Sequence, residues 1–459
     1  MSLFSEIRAL SRVQRNTFAA CFLGWMLDAF DYFLLSFCLV TIAADFHVGR
    51  KVVAEAFFWT LAMRPVGALI FGVLAERYGR RPILMANIIA FSTFGFASAL
   101  APTLNSFLFC RALFGVAMGG EWGVGAAFAL ETLPAKGRGF FSGLLQQGYP
   151  LGNLLAAGLF WLLFPHLHGS GAFTNWRVMF MLGALPALLA FYLRFHVEES
   201  PSWAARKLAR STVRQAEGEL SVRQRIDLSP VQASLRYLPK FIFLVALMFL
   251  FTSFSHGTQD LYPAFLHDRG FSEAMVGLVA AIGNVGALIG GTCFGALSER
   301  FGRRRAILFA ALFAIPMVPL WAWSHTAAML AVGGFLMQFM VQGAWGIIPA
   351  HLNELAPGPV RAIFPGVAYQ LGNLLSSRNS ILQQIYADQH NAGVLTVALS
   401  GTVVVVALLI AVVTALGPEA KGTDLGDSPD TPSRQENSVQ LDATATGLDG
   451  IQLRGRSSV

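Results

Sequence analysis

Apolar blocks of about twenty residues recur twelve times along this chain, and that recurrence leaves few folds open. Twenty residues at about 1.5 Å each match a ~30 Å hydrocarbon core. Inside hydrocarbon the backbone must satisfy its own N–H and C=O groups, which admits only helices and closed barrels. A barrel would show alternating segments of about ten residues. Composition agrees with helices: 13% of the 459 residues are charged and 55% are apolar, whereas soluble domains are about 25% charged. The expected fold is an all-α membrane protein with twelve transmembrane helices, at about 17–42, 53–75, 83–101, 105–130, 140–164, 176–196, 238–266, 274–298, 306–324, 327–353, 363–387 and 392–416.

Loop charge gives the orientation. One set of ends carries Arg8, Arg12, Arg15, Arg77, Arg80, Arg81, Lys136, Arg138, a cluster from Arg194 to Arg225, Arg300, Arg303, Arg304, Arg305 and Arg361. The other set carries little beyond Arg50, Lys51, Arg177 and Arg269. The positive-inside rule then places both termini in the cytoplasm. This alternation accounts for the net charge of +7 and argues against a nucleic-acid partner. Cys21, Cys38, Cys110 and Cys293 have neither metal-ligand nor disulfide-framework spacing, so no metal and no cofactor is expected. The polar N-terminus "MSLFSEIRALSRVQRN" leads into a full-length span and reads as retained.

The chain also repeats itself. "GVLAERYGRRPIL" from Gly72 and "GALSERFGRRRAI" from Gly295 are 223 residues apart. The same offset relates "GGEWG" at Gly119 to "QGAWG" at Gln342, Glu131 to Glu354, and Arg138 to Arg361. "YPLGNLL" at Tyr149 and "YQLGNLL" at Tyr369 are 220 apart. The expected organisation is therefore a first six-helix bundle over 1–197, a cytoplasmic central loop over 198–237, a second six-helix bundle over 238–416, and a disordered cytoplasmic tail over 417–459. Parallel repeats of this kind place a substrate site at their interface near the midplane.

Ionisable groups at membrane depth are costly and mark function by default. They are Asp28 and Asp31 in the first span, Arg64 in the second, Arg111 and Glu121 in the fourth, His256 and Asp260 in the seventh, and Arg378 in the eleventh. At ~100° per residue, Thr252, Ser255, His256, Gln259 and Asp260 share one arc of about 140°. Single polar residues in a span often glue helices together; five on one arc, with an ionisable i,i+4 pair, fit the wall of a watery cavity. Asp260 beside His256 suits a group that takes a proton outside and releases it inside, with Thr258 and Gln259 as cargo contacts. Asp28 and Asp31, about 60° apart on a helix, are too close for both to ionise without a cation nearby. Arg64 can neutralise one of them or grip a substrate carboxylate, and Arg378 is a second candidate for that grip. Asp31 gains proton-relay weight because its place in the first span parallels that of Asp260 in the seventh. Glu121 can pair with Arg111 or fix the fourth helix.

The paired loops resemble the major facilitator superfamily signature G-x-x-x-[DE]-R-x-G-R-R, as Gly72, Glu76, Arg77, Gly79, Arg80 and Arg81, and again as Gly295, Glu299, Arg300, Gly302, Arg303 and Arg304. Arg111, Gly115 and Gly119 resemble its fourth-helix pattern, and "ETLPAKGRG" and "VEESPSW" resemble marks of its sugar and organic-acid porters. The resemblance implies a gating role for the loops and a coupling role for Arg111. "SHGTQDLYP" further resembles the seventh-helix signature of lactate/pyruvate permeases in the sialate:proton symporter family, with Thr252 and Ala264 where that signature has Asn and Thr. "YQLGN" resembles their substrate-binding Q-x-x-N pair, here Gln370 and Asn373. This second resemblance implies proton-coupled import of a small monocarboxylate by a monomeric carrier in a bacterial inner membrane. The partners are then the organic anion, the coupling proton and lipid. Sialic acid, aromatic acids or sugars are alternative cargoes, and a non-transporting sensor is a more distant one. Metalloenzyme and nucleophile-elbow motifs do not occur.

Overall fold

A computed structural model describes residues 10–167, 174–205, 207–208, 237–389, 394–423 and 425. The first bundle contains α1 (Arg12–Asp45), α2 (Arg50–Tyr78), α3 (Arg80–Leu100), α4 (Leu104–Thr132), α5 (Arg138–Gln146), α6 (Gly148–Leu163) and α7 (Asn175–Phe195). The second contains α8 (Leu238–Gln259), α9 (Tyr262–Asp268), α10 (Glu273–Phe301), α11 (Arg303–Ala314), α12 (Ala327–Leu355), α13 (Phe364–Ser376), α14 (Asn379–Gln389) and α15 (Val394–Leu416). Among the described residues, nine helical paths are long and apolar enough to cross a membrane unaided. The fifth and eleventh spans are each two shorter helices in series, α5–α6 and α13–α14, and the sixth is α7.

The sequence explains several boundaries. Ser11 caps α1, its hydroxyl accepting the Gln14 N–H at 3.2 Å while the Gln14 side chain accepts the Ser11 N–H at 3.0 Å. Pro263 in the first turn of α9 ends the seventh span early, so the helix expected over 238–266 stops at Gln259. Prolines at 316 and 319 turn the end of the ninth span into a 3₁₀ turn and then a π turn. Gly79 (φ 110°) and Gly302 (φ 90°) make the one-residue corners α2–α3 and α10–α11, in the region that favours glycine.

Where the bundles meet decides the conformation. The seams between them are built by α5 against α10 and α12, and by α13 against α2 and α4. Glycine permits the approach: a Cβ on Gly123 of α4 would lie 2.6 Å from the Gly366 Cα of α13, and one on Gly143 of α5 would strike the Gly291 backbone of α10. The outer halves pack within their own bundles, α6 on α1 and α14 on α8 and α15. The molecule is thus closed on the side of the arginine-rich loops, which the charge rule assigns to the cytoplasm.

Two boundaries of the expected organisation shift. The central loop begins with packed residues: Ser200, Ser202 and Trp203 are buried, and the Trp203 indole donates to the Glu76 carbonyl at 3.0 Å. The segment expected to be tail begins ordered, with Ala420 and Leu425 buried. Residues 1–9, 209–236 and 426–459, with the rest of the loop and tail expectations, lie outside the described residues.

Candidate functional site

The first bundle buries its ions. Arg111 of α4 and Asp31 of α1 form an ion pair at 3.3 Å, both inside the protein. Gly95 on α3 and Gly183 on α7 leave the room: a Cβ on either would be 3.3 Å from an Asp31 oxygen. The Arg111 guanidinium also lies 4.0 Å over the Phe114 ring. Glu121 does not join this pair. It bonds Arg194 of α7 at 2.7 Å and accepts from Asn87 of α3 at 3.2 Å, tying three helices together.

Asp28 and Arg64 are different. Both are buried, yet neither Asp28 oxygen has a partner, and Arg64 Nε and Nη2 have none. Asp28 and Arg64 feel each other's charge without forming an ion pair, and Tyr32, Tyr149, Tyr369 and His256 also lie within reach of the Arg64 charge. Asp31 is taken up by Arg111, and Arg64 has no ion pair among the described residues.

The second bundle supplies the opposite wall. His256 Nδ1 lies 3.1 Å from Asp260 Oδ1, and the Ser380 hydroxyl donates to Asp260 Oδ2 at 2.6 Å. These side chains stay 43% and 38% exposed. Asp260 lies within electrostatic reach of Tyr32 and Tyr149 of the opposite bundle. Gln259 donates to Gln338 at 2.8 Å, Gln342 to Ser255 at 3.1 Å, and Asn373 to Gln370 at 3.3 Å. Asn373 also reaches His256 and Tyr369.

The helical arc is only partly a cavity wall. Thr252 is buried and its hydroxyl donates to the carbonyls of Met248 and Gly372, at 2.8 and 3.0 Å, so it joins α8 to α13. Thr258 is buried too, donating to the Ser255 carbonyl at 2.9 Å and accepting from Gln338 at 3.2 Å. Ser255, His256, Gln259 and Asp260 face the open side. The expected parallel of Asp31 and Asp260 also fails geometrically: Asp31 is buried mid-helix, whereas Asp260 stands just past the end of α8. Arg378 sits in the two-residue break between α13 and α14 with an exposed side chain and no ion pair among the described residues.

An aromatic floor lies beneath the cavity. Trp122 and Tyr369 stack across the bundle interface at 4.3 Å, next to the Gly123–Gly366 contact. Trp25 lies 5.6 Å from Tyr149 and 6.4 Å from Tyr369, and Trp345 lies 5.7 Å from Tyr369. Sequence reasoning passed over this floor, although Trp122 and Trp345 share the 223-residue offset and Tyr149 and Tyr369 open the matched "LGNLL" segments.

Below the floor, the duplicated loops form two matching clusters. Arg80 is buried between Glu76 and Glu131, at 2.9 and 3.0 Å; Arg303 lies between Glu299 and Glu354, both at 2.9 Å. Each loop glutamate also crosses the seam. Glu76 accepts the Ala362 N–H at 3.0 Å, and Glu299 accepts the Gly139 N–H, the equivalent position in the other repeat. Arg138 bridges to Glu354 at 3.5 Å. Arg81 donates to the last carbonyls of α7 and Arg304 to those of α15. Arg77 and Arg300 are exposed, Arg77 against the Tyr78 ring. Gly72 packs against Ala362 and Ile363 of the opposite bundle.

The sequence pattern described as Major Facilitator Superfamily matches residues 21–377, and again 258–429. The chain belongs to the major facilitator superfamily. The fold is that of a solved structure, the proton:xylose symporter XylE, which aligns with a TM-score of 0.67 at 20% identity, covering 93% of this chain and 98% of its own. A carboxylic acid transporter protein homolog of Saccharomyces cerevisiae is 30% identical over 84% of this chain, which spans 63% of that relative's length. A probable 4-methylmuconolactone transporter of Cupriavidus pinatubonensis is 29% identical, covering 82% of this chain and 84% of its own. This facilitator is a multi-pass integral membrane transporter.

Proposed function

We propose that this transporter imports a small monocarboxylate of the lactate or pyruvate kind together with a proton, by alternating access. Arg64 carries the reading. Its two unpartnered buried nitrogens, Nε and Nη2, form one edge of the guanidinium, and that edge is the shape a carboxylate fills with two parallel hydrogen bonds. An acceptor at that edge satisfies donors that otherwise cost about 1–3 kcal/mol each. Gln370, with an unpartnered buried Nε2, and Asn373 and Gln259 contact the rest of the cargo.

Proton coupling follows from charge. An anion entering beside Arg64 comes under the negative charge of Asp28 and, across the bundles, of Asp260. A proton on one of these carboxylates removes the repulsion, so proton and anion favour each other's binding. Asp260 and His256 face the open side and take the proton there; Asp28 and the Asp31–Arg111 pair pass its effect into the first bundle. The relative named for carboxylic acids supports this cargo class.

The decisive measurement is uptake of radiolabelled L-lactate into proteoliposomes under an imposed pH gradient. Acid outside stimulates uptake and a protonophore abolishes it; sugar uptake with no lactate uptake refutes the reading. Asp260→Asn is expected to bind lactate but no longer accumulate it against its gradient. The stacked Trp122–Tyr369 floor and the relative named for 4-methylmuconolactone favour a second reading, a flat unsaturated acid. Benzoate then outcompetes lactate in the same assay.

A further inference from the structure

The residues after the last span leave their own bundle. α15 ends at Leu416, and Glu419 then caps α11, accepting the N–H groups of Arg303 and Arg304 at 3.1 Å each. At Gly422 (φ 81°) the chain turns. Arg138, in the first turn of α5 in the first bundle, donates to the Thr423 carbonyl at 2.9 Å. Arg361, just before α13 in the second bundle, donates to the Leu425 carbonyl at 2.6 Å. The Leu425 side chain is 1% exposed and belongs to an apolar cluster with Phe128, Leu133, Phe141 and Ala362, drawn mostly from the first bundle.

We propose that residues 419–423 together with Leu425 are a strap that holds the cytoplasmic side shut. The two seams between the bundles are made by α5 and α13, and the strap is gripped at the start of both. It is anchored in the second bundle through Glu419 and seated in the first through Leu425. Opening toward the cytoplasm separates the bundles at these seams, so the chain between Glu419 and Leu425 must then give up the Arg138 bond or withdraw Leu425 from its apolar seat. A buried leucine withdrawn into water loses its transfer free energy, and a carbonyl loses a charge-assisted donor. The strap therefore weights the carrier toward the outward-facing form independently of the cargo.

The test uses a pair of spin labels at Tyr78→Cys and Phe301→Cys, both exposed on the paired loops, with the four native cysteines replaced by serine. Distance distributions are recorded in lipid nanodiscs without substrate. Ending the chain after Lys421 keeps the Glu419 cap and removes Thr423 and Leu425. That variant, and Leu425→Asp in the full chain, should raise the ratio of long to short separations about tenfold, equivalent to ~1.4 kcal/mol. A chain ending after Asp427 should match the full chain. Equal distributions for chains ending at 421 and 427 overturn the proposal. If the truncated chain does not fold, Leu425→Asp alone decides: an unchanged distribution overturns it.

Discussion

The two halves of this transporter share their loops and differ in their middles. At the cytoplasmic end the charges that hold the seams have doubles 223 residues on: Glu76 and Glu299, Arg80 and Arg303, Glu131 and Glu354, Arg138 and Arg361. At the centre the correspondence vanishes. The same offset carries Asp28, Asp31, Arg64 and Arg111 onto Phe251, Phe254, Ala287 and Gly334. The duplicated machinery closes the molecule, a task both halves must perform together. The unduplicated charges lie in the middle of both bundles, Asp28 and Arg64 in the first and His256 and Asp260 in the second, so they and the closing clusters are different residues and can be altered separately.

Breaking the buried pair has the largest expected effect. Arg111→Leu leaves the Asp31 carboxylate inside without its partner, which costs about 3–5 kcal/mol. His256→Leu, at the half-open pair in the other bundle, should change the thermal midpoint far less. Equal losses in a detergent melting experiment would erase the contrast between the two bundles. Next come the loops. Glu76→Gln and Glu299→Gln each weaken a cross-seam bond to a charged acceptor, about 1.5–3 kcal/mol apiece. Because they lie on opposite seams they should shift the same two-label distance in the same direction. A shift from only one of them would show that the repeats have diverged in use. Arg64→Lys replaces a fork with a point charge, and the KM for lactate should rise about tenfold with melting unchanged. An unaltered KM would remove Arg64 from the cargo site.

The smallest effect concerns Glu419. Partial burial tends to raise its pKa, but the backbone N–H groups of Arg304, Lys421 and Arg303 outweigh this and hold it below the ordinary value of 4.5. A depressed carboxylate stabilises the fold above its ordinary value, and the benefit fades as pH falls through the folded one. Glu419→Gln should therefore melt slightly earlier than the parent at pH 7, with the gap closing toward pH 4. A gap that widens on acidification contradicts the cap.

Much of the fold was legible because lipid imposes it. A span has to be long and apolar, and the repeat had to produce two like bundles. The breaks were harder. Pro263 signals the end of the seventh span, but the interruption at Ser377–Arg378 has no proline or glycine to mark it. Rotation around a helix was legible and neighbours were not. Thr252 shares an arc with Ser255, His256, Gln259 and Asp260, yet its hydroxyl turns to backbone carbonyls, one of them on α13, because α13 packs where a wheel shows only direction. Pairing was hidden for the same reason: of the two readings of Glu121 the one that holds is the fixing of the fourth helix, and the partners of Glu121 and Arg111, Arg194 and Asp31, come from two other helices. The aromatic floor was written in the repeat, but aromatic residues in an apolar span carry no alarm as charges do.

The lone Asp28 and the bare edge of Arg64 have a practical corollary. A protein with unsatisfied groups at its centre is at its weakest when vacant, and a ligand that satisfies them adds RT ln(1 + [L]/Kd), about 2.7 kcal/mol at a hundredfold excess over Kd. Heat resistance in detergent then becomes a way to find the cargo. A panel of organic acids can be ranked by how far each raises the melting temperature, with no membrane, gradient or radiolabel required, and Arg64→Lys should flatten the ranking.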